Sequence, residues 1–172
     1  MKVQIKDDFL DSQVFLRIKE VFEAGSIDWQ FTNGTSEPNG EDLDSFFFAH
    51  WIFESHTWIS PFSNELEPLL SKMGVMALHM ARINLLTRTE EHVESSFHTD
   101  YDHNSPNPEK KNMWSTSIFY LNDCNGYTKL EDGTIIKSKA NRLLTLPANV
   151  KHLGASCTDQ KRRLVLNLNY IK

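Results

Sequence analysis

The ten residues from Arg162 to Ile171 constrain the fold more than any other stretch of the chain. Leu164, Leu166 and Leu168 fall on one side of an extended strand, and Arg163, Val165, Asn167 and Asn169 fall on the other. Three leucines in register require an apolar core or a layer of helices. The opposite side allows two arrangements. It can meet water, as in an open-faced antiparallel sheet, or it can line a barrel interior, where an arginine and two asparagines need partners or a ligand.

The other segments narrow the choice. Asp11–Ala24 places Val14, Ile18, Val21 and Phe22 at helical spacing beside Phe15, and Gly25 follows as a stop. Phe46–Phe53 is dense in aromatics and suits a buried strand. Ser63–Met73 reads as a second helix, interrupted or bent at Pro68. Strand patterns then dominate: Met76–Arg88, Ser115–Leu121 with its turn at Asn122-Asp123, Thr134–Ile136 and Leu143–Leu146. Asn33–Gly40 is a polar run of turn formers, suited to a connection or a lid. Helices early and short strands late, without strand–helix alternation, predict a mainly β fold. The expected form is a sandwich or barrel with N-terminal helices packed on one sheet. A length of 172 residues suits one domain. Residues 1–75 would then support a β core formed by residues 76–172.

Charge and composition remove several functional classes. Eighteen Lys and Arg against 23 Asp and Glu leave a formal charge of −5, which gives no global attraction to nucleic acid or anionic lipid. No apolar run is long enough to span a bilayer, and the first eight residues lack a signal-peptide pattern. Cys124 and Cys157 do not make a disulfide framework or a zinc ribbon. A reduced cytoplasm is the expected compartment.

The candidate chemistry centres on His98-Thr99-Asp100. In an extended strand, residues i and i+2 project to one side, so the imidazole and the carboxylate converge. His152, just after a predicted strand, can supply a third ligand. Two His and one carboxylate suit non-haem Fe(II), with positions left open for a co-substrate and dioxygen. Arg163 follows His152 on the polar side of the last strand and offers a planar fork to a carboxylate. Arg162 competes for that role but shares its side with the leucines. Tyr120 can donate its hydroxyl to the same carboxylate. Asn84 and Arg82 share one side of their strand with Met80 and are candidates to line the pocket. Asn84 is read as a co-substrate contact. Arg82, Trp114 and Asn167 are read as substrate contacts. Arg82 could instead pair with a structural carboxylate, and Trp114 could close the core. His103 falls outside the strand, near Asn104, Pro106 and Pro108, and is not taken as a ligand.

The motifs together resemble the prolyl 4-hydroxylase-like branch of the 2-oxoglutarate- and Fe(II)-dependent dioxygenases, in its small stand-alone phage and bacterial form. Phe97-His98-Thr99-Asp100 is similar to the family's first metal motif. Ile118–Asn122 is similar to its "IYYLN" strand, whose second Tyr binds the distal carboxylate of 2-oxoglutarate. Asn141–Leu146 resembles the "GRLLLF" strand leading to the second His, here His152. Arg162–Leu166 resembles the closing "TRYSL" strand with its carboxylate-binding Arg, and Asp8-Phe9-Leu10 the opening "FL". The family's "GGEL" segment is replaced by Asn125-Gly126-Tyr127-Thr128.

The resemblance implies a double-stranded β-helix, or jelly roll, with helices on its major sheet. It implies Fe(II) held by His98, Asp100 and His152, and 2-oxoglutarate anchored by Arg163 and Tyr120, with ascorbate as a reductant. It implies hydroxylation of a C–H bond in a peptide residue, amino acid or small metabolite, consuming dioxygen and releasing succinate and carbon dioxide. A rival reading is a jelly-roll binding protein or isomerase that uses the same triad without oxygen chemistry.

Overall fold

The computed structural model describes residues 2–24, 26–33, 46–100 and 113–172. Gly25, the run 34–40 and His103 lie outside them. The chain opens with strand β1 (Gln4–Lys6) and helix α1 (Ser12–Glu23). The Asp11 side chain caps that helix by accepting from the Gln13 amide at 2.9 Å. Strands β2 (Gln30–Asn33), β3 (Phe46–Glu54) and β4 (Thr57–Trp58) follow. The expected second helix divides into a 3-10 turn (Ser63–Leu66) and helix α2 (Glu67–Met73). Pro68 lies in the first turn of α2, where its missing N–H costs nothing, so the break falls just before it. Gly74 ends α2 in the left-handed conformation, φ 72°.

The remaining strands are β5 (Ala77–Thr87), β6 (Trp114–Tyr120), β7 (Tyr127–Leu130), β8 (Ile135–Lys137), β9 (Arg142–Pro147), β10 (His152–Gly154) and β11 (Arg162–Ile171). The major sheet runs β1-β9-β6-β11-β5-β3-β2, with β4 beside β3, and every pairing in it is antiparallel. The minor sheet runs β10-β7-β8. Isolated bridges at Glu94–Ala155 and His98–His152 lay the segment 93–98 along β10 as an irregular fourth strand. Two facing antiparallel sheets with helices outside the larger one make the jelly roll expected from the sequence.

Strand β11 lies between its two layers as its alternation requires. Leu164, Leu166 and Leu168 have no exposed surface and join Phe15, Ile18 and Phe22 of α1, and Leu69 and Met73 of α2, in the larger core. Phe15 meets Phe119 of β6 edge-on at 5.9 Å between centroids. On the opposite side, Val165 joins Ile118, Tyr120, Leu144 and Leu146 of the major sheet and Leu130 and Ile136 of the minor sheet. That side is interior: Arg163 is only 2% exposed and Asn169 only 7%. The water-facing alternative is therefore excluded for these two residues.

The N-terminal segment is pinned by Asn141. Its Oδ1 accepts from the Leu10 amide and its Nδ2 donates to the Leu10 carbonyl, both at 2.8 Å, while its own carbonyl accepts from the Phe9 amide. Asn141 holds a φ of 61°, a left-handed conformation that asparagine tolerates better than most residues. Asp7 adds an ion pair to Arg142 and another to Lys139. These cations hold the Asp7 carboxyl well below the usual carboxylate range.

Two stability predictions follow from these contacts. Asn141→Ala loses both side-chain hydrogen bonds and strains the backbone, for about 2–4 kcal/mol in denaturant unfolding, and Asn141→Gly recovers the backbone part. Because folding lowers the Asp7 pKa, its contribution is present above roughly pH 4 and is lost as the pH falls. The carboxylate is partly exposed, so Asp7→Asn should cost no more than about 1 kcal/mol at neutral pH. The gap from wild type should close in acid-unfolding curves.

Candidate metal centre and its cleft

The minor sheet and the strand-like segment beside it bring the triad together. His98 and His152 face one another across an antiparallel bridge and exchange both backbone hydrogen bonds, at 3.0 and 2.9 Å. Their rings therefore lie side by side, with centroids 4.6 Å apart. Asp100, two residues beyond His98, reaches both. Its Oδ1 is 3.8 Å from His98 Nε2 and its Oδ2 is 3.7 Å from His152 Nε2. These separations are too long for hydrogen bonds. One ligand atom from each of the three residues falls within 4.8 Å of the others.

The surroundings suit a metal. Each imidazole donates its Nδ1–H to a backbone carbonyl, His98 to Ser96 and His152 to Val150, both at 3.1 Å. This fixes the tautomer and leaves both Nε2 lone pairs facing Asp100. Burial, with His152 as neighbour, pushes the His98 pKa down and favours the neutral imidazole that ligates metal. Two imidazoles and one acidic side chain around a common point fit a ferrous ion by donor type and by arrangement.

The triad opens into a cleft of about 830 Å³, counting the solvent at its mouth. Arg163 closes one end. Its Nε donates to Ser138 Oγ at 2.8 Å, its Nη2 donates to Thr128 Oγ1 at 3.0 Å, and its guanidinium lies 5.6 Å from the Tyr120 ring centre. Burial works against its charge, and the acids acting on it, Tyr120, Cys124 and Cys157, are all weak. Gly126 makes room for this side chain, since a Cβ there would fall 2.7 Å from Arg163 Cδ. Arg162 points away, onto the helix side, where its Nη2 stands 3.7 Å from Glu23.

The other sequence candidates fall at different depths. Asn84 and Asn167 line the cleft, and Asn84 Oδ1 is buried without a hydrogen-bond partner. Arg82 also lines it, held against Phe47 at 5.3 Å and Trp51 at 4.8 Å. Tyr120 is fully buried one layer back, and its hydroxyl donates to Thr128 Oγ1 at 2.9 Å. Trp114 lies beyond the described walls of the cleft, edge-on to His79 at 5.0 Å. Sequence reasoning missed Thr128 and Ser138, the two hydroxyls that orient Arg163, and the ring pair Phe47 and Trp51. Thr128 had a signal, because Thr128 and Leu130 alternate with Tyr127 and Lys129 as in a half-buried strand.

With this geometry in view, known proteins offer a comparison. No family model matches the sequence, and no curated protein sequence matches it significantly. Solved structures do match. A 2OG-Fe(II) oxygenase family oxidoreductase from Burkholderia pseudomallei superposes with a TM-score of 0.68 at 12% identity, covering 98% of this chain and 84% of that one. The fold is that of the 2-oxoglutarate and Fe(II) oxygenases. A prolyl hydroxylase from Trichoplax adhaerens, in complex with a hypoxia inducible factor oxygen degradation domain peptide fragment, gives 0.61 at 17% identity over 98% of this chain and 83% of that one. The non-heme alpha ketoglutarate dependent epimerase SnoN from nogalamycin biosynthesis gives 0.67 at 11% identity over 99% and 77%. Among the described residues, no helix is long and apolar enough to cross a membrane.

The seat of Arg163 can be tested directly. Gly126→Ala puts a Cβ 2.7 Å from Arg163 Cδ and 3.0 and 3.1 Å from the carbonyl oxygens of Ser156 and Ala155, so the side chain or the backbone must shift. Denaturant unfolding should show a loss of about 1–3 kcal/mol.

Proposed function

We propose that this protein is a 2-oxoglutarate- and Fe(II)-dependent oxygenase that hydroxylates a substrate C–H bond. The observation that carries the reading is the buried Arg163. A guanidinium that has, among the described residues, hydroxyls and weak acids beside it is costly to enclose, and an anion in the cleft offsets that cost. Gly154 touches the space beside Arg163 Nη1, and His152 stands two residues, roughly 6–7 Å, further along the same strand. That span suits a five-carbon dicarboxylate held at one end by a metal and at the other by Arg163.

His98, Asp100 and His152 would hold Fe(II), which supplies the activation of dioxygen. With that ion and 2-oxoglutarate bound, the site would couple decarboxylation of 2-oxoglutarate to succinate and carbon dioxide with transfer of one oxygen atom into the substrate C–H bond. The chain's own work is positional. Arg163 binds the far carboxylate, and Thr128 and Ser138 fix the plane of its fork. Tyr120 orients Thr128 and lies beneath the guanidinium. Asn84, on the β5 wall, offers its amide to the co-substrate's chelating end. Ile118, Leu153 and Val165 present apolar surface that limits water. The substrate is a peptide residue or a small molecule, and the acidic chain disfavours nucleic acid.

The test is succinate formation from 2-oxoglutarate with Fe(II), ascorbate and dioxygen. Wild type should form succinate slowly even without substrate. His98→Ala and Asp100→Ala should abolish this and lose metal. Arg163→Met should keep metal but bind 2-oxoglutarate about tenfold to a hundredfold more weakly. Unchanged 2-oxoglutarate binding in Arg163→Met defeats the reading. A product heavier by one oxygen atom identifies hydroxylation, whereas an isomeric product of unchanged mass points to epimerisation.

A further inference from the structure

The proposed function accounts for one cation of the cleft and leaves another without a role. Among the described residues that line it, the guanidinium groups are those of Arg163 and Arg82. Strand register sets them apart. Arg163 pairs with Leu86 of β5, and Arg82, four residues along the same strand, pairs with Asn167. Four residues of strand separate their Cα positions by roughly 13 Å. A dicarboxylate gripped by Arg163 would put one negative charge on that guanidinium and the other, with that of Asp100, on the metal dication, which leaves the charge of Arg82 unbalanced by the described residues.

Arg82 is held in a built seat. Phe47 and Trp51 of β3 press on its guanidinium, and Nε is buried with no hydrogen-bond partner. Burial is the dominant influence on its charge, and the acids that oppose it, Asp100 and Glu54, act only through space. Once Asp100 ligates a dication, its charge is committed there. A half-buried, aromatic-clamped guanidinium then faces the reaction space without a counter-ion among the described residues.

We infer that Arg82 anchors a carboxylate of the primary substrate, so that the substrate is a free carboxylic acid such as an amino acid, a hydroxy acid or the C-terminal residue of a peptide. This rests on the proposed function and specifies the other half of the same cleft. The planar, ring-clamped fork matches a planar carboxylate. One cation balances one negative charge, whereas a phosphate dianion would remain half-compensated. Asn167, opposite Arg82 on β11, supplies an amide to the same group.

The experiment is equilibrium binding under anaerobic conditions to protein loaded with Mn(II) and 2-oxoglutarate. The probes are the twenty L-amino acids, their 2-hydroxy acid counterparts, and tetrapeptides with a free C-terminus, each beside its C-amide. Free acids should bind and their amides should bind at least tenfold more weakly. Free monomers against free tetrapeptides identify the source of the carboxylate. Arg82→Leu should lose at least tenfold in affinity for the bound acid, and Arg82→Lys should keep part of it. Both should show thermal unfolding like that of wild type, which separates a loss of binding from a loss of fold. Equal binding of acids and amides by wild type overturns the inference whether or not the variants fold. So does unchanged affinity in Arg82→Leu, or the absence of any acid that binds. Failure of wild type to bind 2-oxoglutarate at all would instead strike the proposed function.

Discussion

A guanidinium buried among hydroxyls and a phenol, with no carboxylate of the described residues acting on it, is the constraint around which this fold is organised. Arg163 cannot be hydrated where it lies, so its surroundings must supply what water would. Thr128 and Ser138 take two of its N–H groups, Tyr120 provides a ring face, and Gly126 keeps clear the volume its side chain occupies. These partners come from β6, β7 and the segments flanking β7 and β8. The facing of major and minor sheets is thus tied to one side chain of the last strand. What the protein cannot supply from its own described residues is negative charge. Under the proposed function, an anion entering the cleft would make up that deficit.

The metal centre depends on a second constraint, the bridge between His98 and His152. The backbone exchange between these two residues places both rings on one side of the minor sheet. Two outward hydrogen bonds from Nδ1 then turn both Nε2 atoms toward Asp100. The two constraints share β10, since His152 and Gly154 stand on the same short strand, one beside the triad and one beside Arg163. A dicarboxylate bridging these points would satisfy both ends of the cleft at once. In the proposed reading, Arg82, farther along β5 and clamped by aromatic rings, would serve a different molecule.

Legibility from sequence followed the length and the pattern of each element. Strand β11 was readable to the residue, because ten residues alternate without interruption and both layers it separates are fully developed. Helix α1 was readable for the same reason at a different period. The strands β1, β2, β4, β7 and β10 were not anticipated, since two to four residues carry too little periodicity to be seen, whereas β8 was read one residue early as Thr134–Ile136. In β7, Thr128 alternates with its neighbours and could have been flagged. The split of the second helix was half visible: Pro68 marked a discontinuity, but its tolerance in a first turn moved the break to the residues before it. Phe47 and Trp51 read as core aromatics, and nothing local distinguishes a ring that packs on apolar neighbours from one that holds an arginine.

The sequence by itself determined the identity of the side chains that could ligate a metal and the parity that turns Arg163 inward and Arg162 outward, because period-two alternation is a local property of an extended backbone. Tertiary structure alone decided which of them meet. The meeting of His98 with His152 depends on pairing between segments more than fifty residues apart, and the isolation of Arg82 from Arg163 depends on register across β5 and β11. Register is fixed by the packing of whole sheet faces, which no short window of residues contains.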